Sequence, residues 1–79
     1  MDKLISVGYE NYINKEKVIA VSGPGSAPVK RLIRDTKAKG MLIDVTEGSR
    51  TCSVVVMESG HVILTARTPP TIQKRFNDK

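Results

Sequence analysis

The chain has 79 residues, with 13 Lys and Arg against 8 Asp and Glu, a net charge of +5 and 39% apolar residues. That length excludes a second domain, so residues 1–79 are expected to form one. The apolar fraction excludes a disordered tail, no run of about 18 uncharged apolar residues is present to span a membrane, and the N-terminus lacks the charged-then-apolar pattern of a leader.

The turn signals divide the chain into short elements. Residues 3–7 read as a strand ended by Gly8, and 17–21 as a second, rich in β-branched residues. Between them, residues 9–14 read as a turn with room for a short extra strand. The break at Ser22-Gly23-Pro24-Gly25 leads into the best helix of the chain. Ser26 is its expected N-cap, and Pro28 falls in the first turn, where a missing N–H costs nothing. Val29, Leu32, Ile33 and Thr36 share one face, and Gly40 ends the helix.

Residues 41–45, 53–57 and 61–65 read as three more strands, expected to form an antiparallel meander. Ser59-Gly60 marks the hairpin between the last two, and Glu47-Gly48-Ser49-Arg50 joins the first two. Val54, Val55 and Val56 are apolar on both faces, so a helix should cover one side and a second subunit can cover the other. A short helix follows Thr68-Pro69-Pro70, with Ile72 and Phe76 on one side. The expected class is α+β: a small antiparallel or mixed sheet of about five strands, one main helix and a short C-terminal helix.

Nothing in the sequence assembles a catalytic or metal site. His61, the one histidine, stands at a hairpin edge with no motif partner, and Cys52, the one cysteine, reads as a small core residue. A lone cysteine makes no internal disulfide and no cysteine-based zinc site, so a cytoplasmic chain without a covalent staple is expected. The acids Asp35, Asp44, Glu47 and Glu58 are scattered singly. No enzyme activity, cofactor, metal or small-molecule substrate is expected. The glycine loop before the main helix has neither the lysine of a P-loop nor the three spaced glycines of a dinucleotide loop, and reads as a turn plus cap. With no Trp, and with 16 Val and Ile supplying the core, a chain this small is expected to self-associate.

The basic residues say more. Lys30, Arg34 and Lys37 lie within about 60° of one another on the main helix. Lys15 and Lys17 flank the start of a strand, Arg50 stands at a loop tip, and Arg67, Lys74 and Arg75 lie towards the end. Each alone reads as part of a solvated face, but the excess as a whole points to nucleic acid. No helix-turn-helix, zinc finger or RNA-stacking sheet pattern accompanies it, so duplex DNA and RNA are both open on composition.

The segments Val7-Gly8-Tyr9-Glu10-Asn11, Ser26-Ala27-Pro28-Val29-Lys30-Arg31-Leu32-Ile33, Gly48-Ser49-Arg50-Thr51 and His61-Val62-Ile63-Leu64-Thr65 resemble the bacterial RemA family, also called YlzA. The resemblance runs from Lys3 to Phe76. It implies a DNA-binding transcriptional regulator of extracellular-matrix, or biofilm, genes that assembles into a ring with DNA bent around its outer surface. The DNA-contacting arginines it implies fall on Lys17 and on the adjacent pair Ser49 and Arg50. Only Arg50 keeps the arginine. Lys17 keeps a charge without the planar fork, and Ser49 keeps one hydroxyl donor. Lys15 and Arg67 are the cations placed to compensate. The implied partners are double-stranded DNA and further copies of the chain. The alternatives are a ring-forming structural or protein-interaction module with weakened DNA binding, and an RNA-binding protein.

Overall fold

The structure of the protein, a computed structural model, describes residues 3–77. The elements run β1 (Leu4–Gly8), β2 (Asn11–Asn14), β3 (Val18–Ser22), α1 (Ala27–Ala38), β4 (Leu42–Asp44), β5 (Ser53–Met57), β6 (Val62–Thr65) and α2 (Pro69–Asn77). A 3-10 turn over Lys15–Lys17 links β2 to β3. The α+β class expected from the sequence is the one observed. Its six strands form two sheets: the β1–β2 hairpin, and a four-stranded sheet in the order β3-β5-β6-β4.

The last three strands do not form the expected antiparallel meander. β4 pairs in parallel with β6, Ile43 opposite Ile63, and β5 lies on the other side of β6. The reason lies in α1, whose apolar stripe must cover a sheet face. A crossover through a helix returns the chain parallel to the strand it left. β3 and β4 therefore run in the same sense at the two edges, and the β5–β6 hairpin fills the space between them. Residues 45–52 pass over the end of β6, where Val45 and Cys52 donate their backbone N–H groups to the carbonyls of Leu64 and Thr65.

Both faces of β5 are covered from within the chain, so its doubly apolar pattern needs no second subunit. On one face Val55 and Ile63 meet Ile5, Val7 and Ile13 of the hairpin and Ile72 of α2, with Phe76 packed alongside. On the other, Val54, Val62 and Leu64 pack under Val29 and Ile33 of α1. Ile72 has no exposed surface, and burying such a side chain stabilises by about 1.5–3 kcal/mol.

Local chemistry sets the ends. The Ser26 hydroxyl accepts from the Val29 N–H at 3.3 Å, with Pro28 in the first turn. Gly40, at φ +73°, lets the chain leave α1. Thr36 is buried as expected, whereas Leu32 lies about 60° from the centre of the buried stripe and is 37% exposed. Gly60, at φ +95°, closes the β5–β6 turn, its N–H bonded to the Met57 carbonyl at 3.0 Å. The extra strand allowed for among residues 9–14 is β2.

Candidate nucleic-acid interface

The five basic and polar residues singled out above divide between the two ends of the main sheet. Ser49, Arg50 and Arg67 lie at the end where β5 begins and β6 finishes, since Ser53 pairs with Thr65. Lys15 and Lys17 lie at the opposite end, where Val18 pairs with Met57. β5 spans about 13 Å between them.

The first end is built from two turns and one strand exit. β1 and β2 are joined by Tyr9 and Glu10 alone, with Gly8 opposite Asn11. Both turn residues have positive φ, 51° and 63°, the type I′ geometry that suits a two-residue hairpin and usually takes Asn-Gly. Asn11 stabilises the turn, its side-chain amide donating to the carbonyls of Gly8 at 3.0 Å and Tyr9 at 3.1 Å. A bulge between Ser6 and Gly8 takes Val7 out of the ladder, and its carbonyl accepts instead from the Thr65 hydroxyl at 2.6 Å. The same hydroxyl accepts from the Arg67 N–H at 3.0 Å, and the Ser53 hydroxyl donates to the Arg67 carbonyl. Arg67 thus leaves β6 with its backbone fixed on both sides.

Its side chain lies across Gly8 and Tyr9. The guanidinium carbon stands 5.8 Å from the centre of the Tyr9 ring, within cation–π reach. A Cβ on Gly8 would come within 2.8 Å of Arg67 Nε, so only glycine leaves the guanidinium this path. The Tyr9 hydroxyl and the Ser49 hydroxyl are 2.7 Å apart, which ties the second turn to the first. That second turn is set by Asp44, whose carboxylate accepts from the Thr46 N–H at 2.9 Å and the Thr46 hydroxyl at 2.6 Å. These two bonds, the hydroxyl first, hold the Asp44 carboxyl below the ordinary carboxylate range. Glu47 and Gly48, at φ 54° and 82°, complete the reversal that presents Ser49 and Arg50.

The second end is quieter. Lys17 closes the 3-10 turn and pairs with Glu58 at 3.1 Å. Lys15 donates to the Phe76 carbonyl of α2 at 3.2 Å. Among the described residues, the ion pairs are Lys17–Glu58 and Lys3–Glu16, so neither Arg50 nor Arg67 is neutralised by an acid, although Glu10 and Glu47 stand on the neighbouring turns. Lys30, Arg34 and Lys37 face solvent on α1. His61 bonds to Ser59 within its own hairpin, and Cys52 is half-buried. No group of three or more possible metal ligands comes together among the described residues, and no helix there is long and apolar enough to cross a membrane.

Sequence reasoning had no signal for Tyr9 as the centre of this end. Its partners lie 40 and 58 positions away, and a Tyr-Glu pair lacks the residues that mark a type I′ turn.

Fold and site together define a small α+β protein with exposed arginines, Arg50 and Arg67, on the turns and strand exit at one end of its main sheet. The chain belongs to the RemA-like family: the family model described as extracellular matrix regulatory protein A-like matches residues 4–76. It is similar to extracellular matrix regulatory protein A of Bacillus subtilis (strain 168), with 48% identity over 77 residues, covering 98% of this chain and 86% of that protein. A protein of Carboxydothermus hydrogenoformans, named as a regulatory protein, is 46% identical over 77 residues, covering 98% and 88%. Another so named, from a Cyanothece species, is 47% identical over 74 residues, covering 94% and 81%.

Proposed function

We propose that this chain is a non-enzymatic, DNA-binding transcriptional regulator that acts in the cytoplasm on extracellular-matrix genes as a ring of identical subunits. The observation that carries the reading is the pair of exposed arginines, Arg50 and Arg67, held at one end of the sheet without acidic partners among the described residues. The name of the Bacillus subtilis relative, extracellular matrix regulatory protein A, supports the regulatory role. Arg50 and Arg67 contact phosphates, with Ser49 as a neutral donor, and Lys17 and Lys15 make a second contact. The separation of about 13 Å between the two ends corresponds to about four base-pair steps of 3.4 Å, so a duplex lying along the strands meets both.

Ring assembly draws support from the sheet edges. β3 and β4 are both edge strands, carrying Ile19 at 65% and Ile43 at 44% exposure. Two different apolar edges suit a head-to-tail interface, the kind that closes into rings. Repetition around a ring turns a few weak contacts per subunit into useful affinity.

One observation favours a second reading, a ring with weakened DNA binding and a protein partner. Lys17 is occupied by Glu58 and Lys15 by the end of α2, and Ser49 carries no charge. The test is titration of the protein into a duplex of roughly 100 base pairs at several salt concentrations, with its mass in solution recorded. Each phosphate contact contributes about 0.9 to the slope of log affinity against log salt. Salt-dependent binding by an assembled ring, abolished by Lys17→Glu with Arg50→Glu, is the expected result. A ring that ignores the duplex at low salt selects the second reading, and unchanged affinity in the double variant rejects the site.

A further inference from the structure

The turn at Tyr9 combines three features that folding alone does not require. Gly8, Tyr9 and Glu10 are three consecutive residues at positive φ, and two of them carry large side chains. An Asn-Gly pair would make the same turn, whereas each non-glycine residue here costs about 1–2 kcal/mol of backbone strain. Strain of this kind persists where the surroundings hold it for a purpose. Tyr9 does not repay it by filling the core, because it remains 47% exposed. It is instead held at the surface by two groups, the Arg67 guanidinium over its ring and the Ser49 hydroxyl against its own.

The hydroxyl pair matters chemically. Two hydroxyl groups in contact have two hydrogens, and one is consumed between them. The other is free, and the group that carries it is polarised by the bond it accepts. Beside that free donor lies a guanidinium with five N–H donors, kept on Tyr9 by the ring face on one side and by the bare Cα of Gly8 on the other. A neutral hydroxyl donor and a guanidinium on the same tyrosine are two kinds of donor that the non-bridging oxygens of a phosphodiester accept.

We propose that Tyr9 is itself a phosphate-binding residue: its hydroxyl and that of Ser49 act as one paired donor that, with Arg67, takes a backbone phosphate of DNA. This deepens the DNA-binding reading above and rests on it. It also gives Ser49 a role beyond that of a lone neutral donor, since its hydroxyl lies 2.7 Å from the phenol oxygen.

The test is a double-mutant cycle with Tyr9→Phe and Ser49→Ala, plus Arg67→Gln, each titrated into the same duplex across a salt series. Tyr9→Phe keeps the ring under Arg67 and removes only the hydroxyl. Each hydroxyl variant should weaken binding about tenfold without changing the salt slope, because no charge is lost. The double variant should lose little more than either single one, since the pair acts as a unit. Arg67→Gln should lower the slope by about 0.9. Wild-type affinity in Tyr9→Phe and Ser49→Ala, with the wild-type protein binding and salt-sensitive, would overturn this inference and leave the DNA reading standing. No binding by the wild-type protein at low salt would overturn both. If Tyr9→Phe lowers the melting temperature, Ser49→Ala, at an exposed turn position, decides between these outcomes.

Discussion

Thr65→Val should be among the most damaging single changes in this protein, although it preserves shape. Thr65 has no exposed surface. Its hydroxyl donates to the Val7 carbonyl at 2.6 Å and accepts from the Arg67 N–H at 3.0 Å, so it joins the β1–β2 hairpin, β6 and the strand exit at one atom. Valine fills the same volume and leaves no space for a water. Two backbone groups then lose their partner, and an unsatisfied buried group costs about 1–3 kcal/mol. The sum is about 2–6 kcal/mol, against a total stability of about 4–12 kcal/mol for a chain of this length. At roughly 4–8 °C per kcal/mol in a small domain, the melting temperature should fall by about 10 °C at the least. Thr65→Ser keeps the hydroxyl and loses one methyl, worth about 1 kcal/mol. Thermal unfolding followed by circular dichroism separates the two, at one fixed protein concentration. The reasoning is refuted if Thr65→Val melts within a few degrees of wild type, or if Thr65→Ser is as unstable as Thr65→Val.

Gly8→Ala should cost about 1–2 kcal/mol through its positive φ and should also drive Arg67 off the Tyr9 ring; a melting temperature equal to wild type would contradict both effects. The folded Asp44 carboxyl titrates below its ordinary value of 3.8 because Thr46 bonds to its charged form. Its contribution to stability is therefore complete above pH 4 and is lost as pH falls through the lower, folded value. Melting curves between pH 7 and pH 3 should flatten at the acid end in Asp44→Asn, and an identical acid profile in variant and parent would count against this account. Glu58→Gln releases Lys17 from its 3.1 Å ion pair. Stability should change by about 0.5 kcal/mol or less, as for other exposed pairs, while affinity for duplex rises; weaker binding would mean that Lys17 does not face DNA.

The sequence by itself determined the elements, because their signals are local. Ser26, Pro28 and Gly40 delimit α1 through capping and backbone chemistry that needs no distant partner, and a glycine beside Ser59 closes the β5–β6 turn in the same way. The β-branched runs at β3, β5 and β6 read as strands for the same reason. The positions of Arg50 and Ser49 on a loop were also legible, since Gly48 marks the turn.

What the sequence left open was how the strands are ordered. Antiparallel neighbours and a parallel crossover leave the same alternation along β4, and only the need of α1 to cover one sheet face selects the second. The same long-range packing decided what covers β5. It supplied α2 and the hairpin where the apolar pattern alone allowed a second subunit. It also separated Lys17 from Arg50 and brought Gly8, Tyr9, Ser49 and Arg67 to one point. Those four residues come from three segments far apart in the chain. Their meeting depends on strand register and on a bulge at Val7, which are properties of the packed sheets and not of any one segment.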